Sequence, residues 1–314
     1  MSEHIVHWDD FESEHGEAGS ISSHWTDLAG PAGAVRVRMN RIRVDPGKRS
    51  TPLHVENDEE EIFFVLSGSG LAWQRSGDKD ETFEVRAGDC LVHLSGNEAH
   101  TLVAGPDGFD LLAFGVGPDA VLTFFPRLQV MRVGPAIVDV DGRHQWQLEG
   151  ALDDPDLPGP SPRPKQKRIV NVDEVEPEPW GKGEVGVDGR DLGVAGGSVR
   201  TGINYNRVAP GKLSAPPHCH SVEEELFVVL EGEGVCVLGE DEYPVRRGHV
   251  VSRPASTRVA HAFRAGDGGL TVLAYGTRDP NDIVYYPRSD KIYFRGVGVM
   301  TRVERLDYWE GEES

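Results

Sequence analysis

The stretch RVAPGKLSAPPHCHSVEEELFVVLEGEG, residues 207–234, repeats RVDPGKRSTPLHVENDEEEIFFVLSGSG, residues 43–70. Matched positions are offset by 164, so Gly47 meets Gly211, His54 meets His218, Glu61 meets Glu225 and Gly68 meets Gly232. The match resumes with an offset of 161, where AHTLVAGPDGFDLLAFG meets AHAFRAGDGGLTVLAYG and FFPR (124–127) meets YYPR (285–288). The change of three falls mainly in a hairpin, QRSGDKDETF, that is longer in the first half. Loops absorb such differences cheaply, so the pattern is a duplicated domain. Two long copies make two domains and not a solenoid.

Between the copies lies ALDDPDLPGPSPRPKQKR, residues 151–168, with five prolines and no periodic apolar pattern. It is expected to be an extended linker. The first domain is then 1–150 and the second 169–314. Within each copy the apolar segments are short and rich in Val, Leu, Tyr and Thr, as in ELFVVLEGEGVCVL and LTVLAYG. Gly, Pro and Asp punctuate them every 8–12 residues. Helical periodicity is poor, so the fold class is all-β, with two antiparallel sandwiches or small barrels.

Composition narrows the function. The 314 residues include 38 Gly and 21 Pro and carry a formal charge of −20. That charge disfavours nucleic acid or an anionic membrane as partner. No apolar run reaches the length of a membrane-spanning helix. MSEHIVHWDDFESEHGE lacks the basic and apolar regions of a signal peptide, and three cysteines (Cys90, Cys219, Cys236) give no disulfide framework. A cytoplasmic protein is expected.

The chemistry sits in APPHCHSVEEELF. Alternate strand residues share a face, so His218 and His220 point together and Cys219 points away. Glu225 follows after a short turn and can be aimed at the same point. His261 opens a later apolar segment. Three imidazoles and one carboxylate suit a divalent transition metal with open positions for water or substrate. In the first half His54, Glu61 and His100 match, but Glu56 replaces the second histidine. It either completes a His2Glu2 set or belongs to an empty site. The remaining acids of NDEEE and SVEEE read as solvated loop residues.

Residues 211–232 resemble the first cupin motif, G-x5-H-x-H-x(3–4)-E-x6-G, in Gly211, His218, His220, Glu225 and Gly232, with six residues instead of five after the first glycine. Residues 248–261 are similar to the second motif, G-x5-P-x-G-x2-H-x3-N, in Gly248, Pro254 and His261. Ser256 stands where Gly is usual, four residues instead of two precede His261, and Ala265 replaces the Asn. The resemblance covers both halves and implies a bicupin of two tandem jelly-roll barrels. It implies a metal held by His218, His220, Glu225 and His261, and more weakly by His54, Glu56, Glu61 and His100. The family's metals include manganese, iron, nickel, zinc and copper. It further implies that the barrels pair within the chain, with homo-oligomerisation open.

Among other residues, Cys90, Cys219 and Cys236 read as core, and His249 as exposed. His4, His7, His15, His24 and His144 show no ligand spacing. Phe227 and Val229 should line the barrel, and Tyr205 or Asn204 should face the pocket. Arg258 stands near the mouth. Trp146 and Trp309 read as barrel-closing or interface residues, and YYPRSDKIYFRGVGV should cover part of the second barrel. The leading expectation is a metal-dependent oxidoreductase of dioxygenase type acting on a small organic acid or phenol. The rivals are a non-catalytic metal- or ligand-binding bicupin and a sugar isomerase or epimerase.

Overall fold

The computed structural model of the protein describes residues 3–312, apart from 117–121, 135, 139–142 and 164–167. It is mostly β, and its two large sheets have the same strand order. One runs Ile169–Asn171, Asp89–His93, Glu60–Ser76, Ala99–Val116, Val37–Val44, Ile21–Asp27, Glu14–Ala18, with Lys79–Arg86 hairpinned onto Glu60–Ser76. The other runs Ile5–His7, His249–Arg253, Glu225–Leu238, His261–Thr277, Thr201–Val208, Val187–Asp191, Glu178–Trp180, with Asp241–Arg246 hairpinned onto Glu225–Leu238.

Each long strand serves two walls of a barrel. Glu225–Leu238 pairs with His261–Thr277 along its length, but the register slips between Val229 and Glu231 and again between Gly232 and Gly234. Gly232 has φ +78°, and a Cβ there would lie 2.3 Å from the Gly269 carbonyl oxygen. Glycine therefore permits both the backbone turn and the close approach. Gly68 repeats the arrangement in the first half.

The halves exchange their first strands. Ile5–His7 pairs with His249–Arg253, and Ile169–Asn171 pairs with Asp89–His93. Both cover a sheet edge that would otherwise expose unpaired backbone groups. Sheet membership therefore crosses the sequence boundaries at 1–150 and 169–314. The proline-rich stretch is not a free spacer either. Ser161 N–H donates to Thr82 O at 2.8 Å, Thr82 Oγ1 donates to Pro158 O at 2.8 Å, and Arg163 Nη2 donates to Asp89 Oδ2 at 2.6 Å.

Strand alternation gives the core three large parts. Phe227, Val229 and Val251 face the second barrel's interior; Phe63, Val65 and Leu91 face the first. The intervening Leu226, Val228, Ile62 and Phe64 face the other half, where they meet Tyr205, Phe114 and Tyr275. The barrels thus pair within the chain through a continuous apolar layer.

The acid runs hold this pairing and are not solvated. Glu60 and Glu224, matched at the 164 offset, are 1% and 0% exposed. Glu224 accepts N–H bonds from Val35 and Arg36 at 2.6 and 2.7 Å. Glu60 accepts from Val199 and Thr201 N–H at 3.0 and 3.1 Å and from the Ser198 hydroxyl at 2.5 Å. Each barrel thus inserts a carboxylate into a backbone loop of the other. The reading of these acids as loop residues fails because their partners lie in the opposite half, about 140 to 190 positions away.

Two smaller sheets flank the barrel mouths. Cys219–His220 pairs with Ile283–Tyr286, which continues into Lys291–Phe294 and Val299–Arg302. Val55–Glu56 pairs with Leu122–Phe125 in the same way.

Candidate metal centre

In the second barrel the structure brings His218, His220, Glu225 and His261 together, with one donor atom from each within 4.8 Å of the others. Backbone bonding sets the geometry. His218 and His261 face each other across an isolated bridge, with His261 N–H donating to His218 O at 2.8 Å. Glu225 opens its long strand opposite them. Both outward-turned Nδ1 atoms have partners: His218 Nδ1 with Pro216 O at 2.9 Å, and His220 Nδ1 with Asp282 Oδ2 at 2.7 Å. These contacts orient the rings and aim each Nε2 inward, where it offers a lone pair once the ring is neutral.

Inside, His220 Nε2 and His261 Nε2 lie 3.3 and 2.9 Å from Glu225 Oε2. All three atoms are nevertheless buried without a well-oriented hydrogen bond. The proximity and the missing alignment agree if the atoms point at a common centre and not at one another. Buried polar atoms left in this state cost free energy unless something satisfies them. Three imidazole nitrogens and a carboxylate oxygen are a donor set for a transition-metal dication.

Electrostatics support that reading. Burial and the neighbouring His261 hold His218 down at about 3, and burial lowers His261, so both rings are neutral. Burial also opposes the charge on His220, but Glu225 and Asp282 outweigh it and raise the ring to about 10. Glu225 is opposed by burial, yet His220 and His261 hold it well below the usual carboxylate range.

A ring of further groups supports the four, among them Asp282, Glu223 and Tyr286, which the sequence did not single out. Asp282, 1% exposed, accepts from His220 and from the N–H groups of Val222 and Glu223 at 3.0 and 3.1 Å. Glu223 pairs with Arg295, and burial lifts it to about 7 despite that partner. Phe227 packs 5.4 Å from the His261 ring, and Tyr286 stacks on His218 at 5.7 Å. Asn204 lines a cavity of about 80 Å³ with Glu223 and Glu225, whereas Tyr205 packs in the layer between barrels. A larger cavity of about 550 Å³ opens over His220, walled by Ser256, Arg258, Tyr285 and Arg305. Ser256 has φ +61°, the left-handed conformation that favours the glycine usual at this motif position.

In the first barrel only His54, Glu61 and His100 form the equivalent group. His100 Nε2 lies 2.9 Å from Glu61 Oε2. Glu56 stays 4.0 Å from His54 and turns both oxygens to the Thr123 hydroxyl at 2.8 and 3.0 Å. His93, absent from the motif reading, stacks on His100 at 3.8 Å and approaches Glu98 at 3.5 Å. Burial and Glu61 raise Glu56, and burial and Glu61 raise Glu59 to about 8.

Several other expectations change. His249 is buried, because the exchanged strand Ile5–His7 covers it and the His7 ring packs at 4.9 Å. His15 and His24 meet across a hairpin with stacked rings 4.2 Å apart and form a third group with Asp45. Ser22 bonds both His15 and Asp45 there, so that cluster is internally partnered. Trp146 packs on Trp25 and over Gly16, but Trp309 is 63% exposed and closes nothing among the described residues. Cys219 stays outside the ligating group and is half-buried, not core as expected, whereas Cys90 and Cys236 are buried. No helix among the described residues is long and apolar enough to cross a membrane.

Comparison with known proteins agrees with this architecture. The cupin domain family matches the chain twice, at residues 40–110 and 204–274. No curated protein sequence matches it significantly. Among solved structures, a deletion mutant of Bacillus subtilis oxalate decarboxylase superposes with a TM-score of 0.59 at 15% identity, covering 88% of this chain and 77% of that one. A Bacillus subtilis oxalate decarboxylase structure described for its Mn(II) centres gives the same values. The formate complex of Lactobacillus farciminis oxalate decarboxylase gives 0.59 at 13% identity, covering 90% and 88%. At these identities the likeness is one of fold.

Proposed function

This chain belongs to the cupins, as a bicupin with two cupin domains, and from that premise we propose a metal-dependent enzyme acting on a small organic acid. The second barrel carries the chemistry, with His218, His220, Glu225 and His261 holding one divalent transition metal. The observation that supports this most is the convergence of His220 Nε2, His261 Nε2 and Glu225 Oε2, all buried and without aligned partners.

Bound there, such a metal supplies Lewis acidity to the oxygens of an acid. The chain supplies the rest. Asp282 and the Pro216 carbonyl orient the histidine rings. Glu223, raised to about 7, can hold or release a proton beside Glu225 near neutral pH. Phe227 and Phe263 close the barrel below His261 and exclude water. Arg258 and Arg305 stand at the entrance.

The acid as substrate class draws support from the structural neighbours, whose names are those of decarboxylases. Their names favour redox-neutral cleavage of the acid. The dioxygenase form is supported by the donor count, since four protein ligands leave about two positions on an octahedral ion. A panel of short mono- and dicarboxylates with metal-loaded protein separates them. Product formation under argon fits cleavage; oxygen uptake matched to acid loss fits dioxygenation. Turnover of no acid in either atmosphere, with the metal in place, refutes the proposal and leaves a ligand-binding bicupin.

A further inference from the structure

Arg253 stands one residue before the motif proline and ends the strand His249–Arg253. Its Cα partner is Glu225, and two positions along the ladder Phe227 pairs with Val251. Phe227 and Val251 both belong to the barrel-interior cluster. By strand alternation Arg253 and Glu225 share that interior face. Arg253 is 4% exposed.

A guanidinium this deeply buried normally has an anionic partner. Arg253 forms no ion pair among the described residues. Its Nη2 donates to Thr257 Oγ1 at 2.9 Å and to Val259 O at 2.8 Å, both neutral acceptors, and its Nε is buried without a partner. Glu225, the nearest carboxylate in register, directs its Oε2 at His220 and His261 instead. The two neutral bonds tether Arg253 to the loop that walls the 550 Å³ cavity over His220.

The first barrel shows the contrast. There Glu61 pairs with His93, in the same register as Glu225 with Arg253. His93 has an internal carboxylate, Glu98, at 3.5 Å. The first barrel thus places a carboxylate of its own beside this interior side chain, and the second places none in an ion pair with Arg253 among the described residues. The imbalance is local, in a chain of formal charge −20. Arg258, at the mouth of that cavity, has no ion pair among the described residues, and Arg305 has an exposed contact with Asp290 at 3.5 Å and donates to the Tyr285 hydroxyl.

We propose that Arg253 supplies an anion-binding subsite beside the second-barrel centre, so that this barrel selects ligands bearing a carboxylate over neutral isosteres. Arg258 and Arg305 add a positive entrance that draws anions in. The inference rests on the reading of His218, His220, Glu225 and His261 as metal ligands, and it assigns the substrate's charge to a residue outside that set. Arg253 acts here as a specificity-determining residue.

The test titrates oxalate and its neutral isostere oxamide into manganese-loaded full-length protein by calorimetry, with manganese per chain measured before and after. Wild type should prefer oxalate. Arg253→Met should bind oxalate about 30- to 100-fold more weakly, with oxamide binding unchanged, as expected for loss of a buried charge-assisted contact. Arg253→Lys should recover much of the loss. A residue that only fastened the loop would instead lower manganese content and spare the ratio of the two affinities. Unchanged oxalate binding in Arg253→Met with full manganese overturns the inference. So does equal affinity for the two probes, or no oxalate binding, in loaded wild type, a result that needs no variant to fold. Wild type that takes up no manganese, or any other divalent transition metal, fails earlier and refutes the metal centre itself.

Discussion

The two barrels share strand order, bulge glycines and exchanged edge strands, yet their interiors balance charge differently. The second surrounds its centre with three histidines, Glu225 and an Arg253 that has no ion pair among the described residues. The first has two histidines and Glu61, with Glu56 turned to Thr123 and His93 matched to Glu98. A dication placed in each would leave the second pocket strongly positive and the first closer to neutral. Duplication kept the scaffold, and a few interior positions separate a pocket suited to an anion from one that balances its own charge.

The largest expected effect concerns the donor set. His220→Ala should lose second-barrel metal on dialysis, while Asp282→Asn, which loosens only the ring's support, should weaken affinity about 10- to 100-fold. Equal metal content in both variants and wild type would erase the contrast between ligand and support. In the opposite direction, Glu56→His should give the first barrel the second barrel's donor set and raise metal content toward about two per chain. No uptake would mean that the stacked His93 and His100 block the site.

The reciprocal carboxylates test what the barrels share. Glu60→Ala and Glu224→Ala each remove a buried carboxylate that accepts N–H groups of the opposite barrel, and each should cost about 2–4 kcal/mol in urea unfolding. A cost in only one would show that the pairing is not mutual.

Metal binding should also depend on pH in a defined direction. His220, raised to about 10, is protonated at pH 7, while His218 and His261 are already neutral. Loading the second barrel should therefore release about one proton, and affinity should rise with pH until about 10. The same raised pKa stabilises the metal-free fold fully below the unfolded value of about 6.5, and that contribution fades as pH rises through about 10. Binding enthalpies in buffers of different ionisation heat count the proton. The smallest effect is thiol reactivity. Burial pushes Cys236 up to about 12 and Cys90 higher, so an aromatic disulfide reagent at pH 8 should modify only Cys219 in native protein.

Much of this was legible in the sequence because it is local or repeated. The 164 offset exposes two domains, and the alternation of His218, Cys219 and His220 places two donors on one face. What stayed hidden is long-range. Asp282 reaches His220 from 62 positions away, and its match at the 161 offset is Val121, so the repeat gives no hint of it. Glu60 and Glu224 look like loop acids until the opposite barrel is in place. Arg253 looks like a turn residue until register sets it beside Glu225. His249 reads as exposed because nothing near it in the chain announces the covering strand Ile5–His7.

Metal content by elemental analysis of chelator-free protein, in wild type, His218→Ala and His54→Ala, bears most directly on the second barrel as the working centre. The account predicts that wild type and His54→Ala hold second-barrel metal and that His218→Ala loses it. Metal retained in His218→Ala but lost in His54→Ala would contradict the account and move the centre to the first barrel.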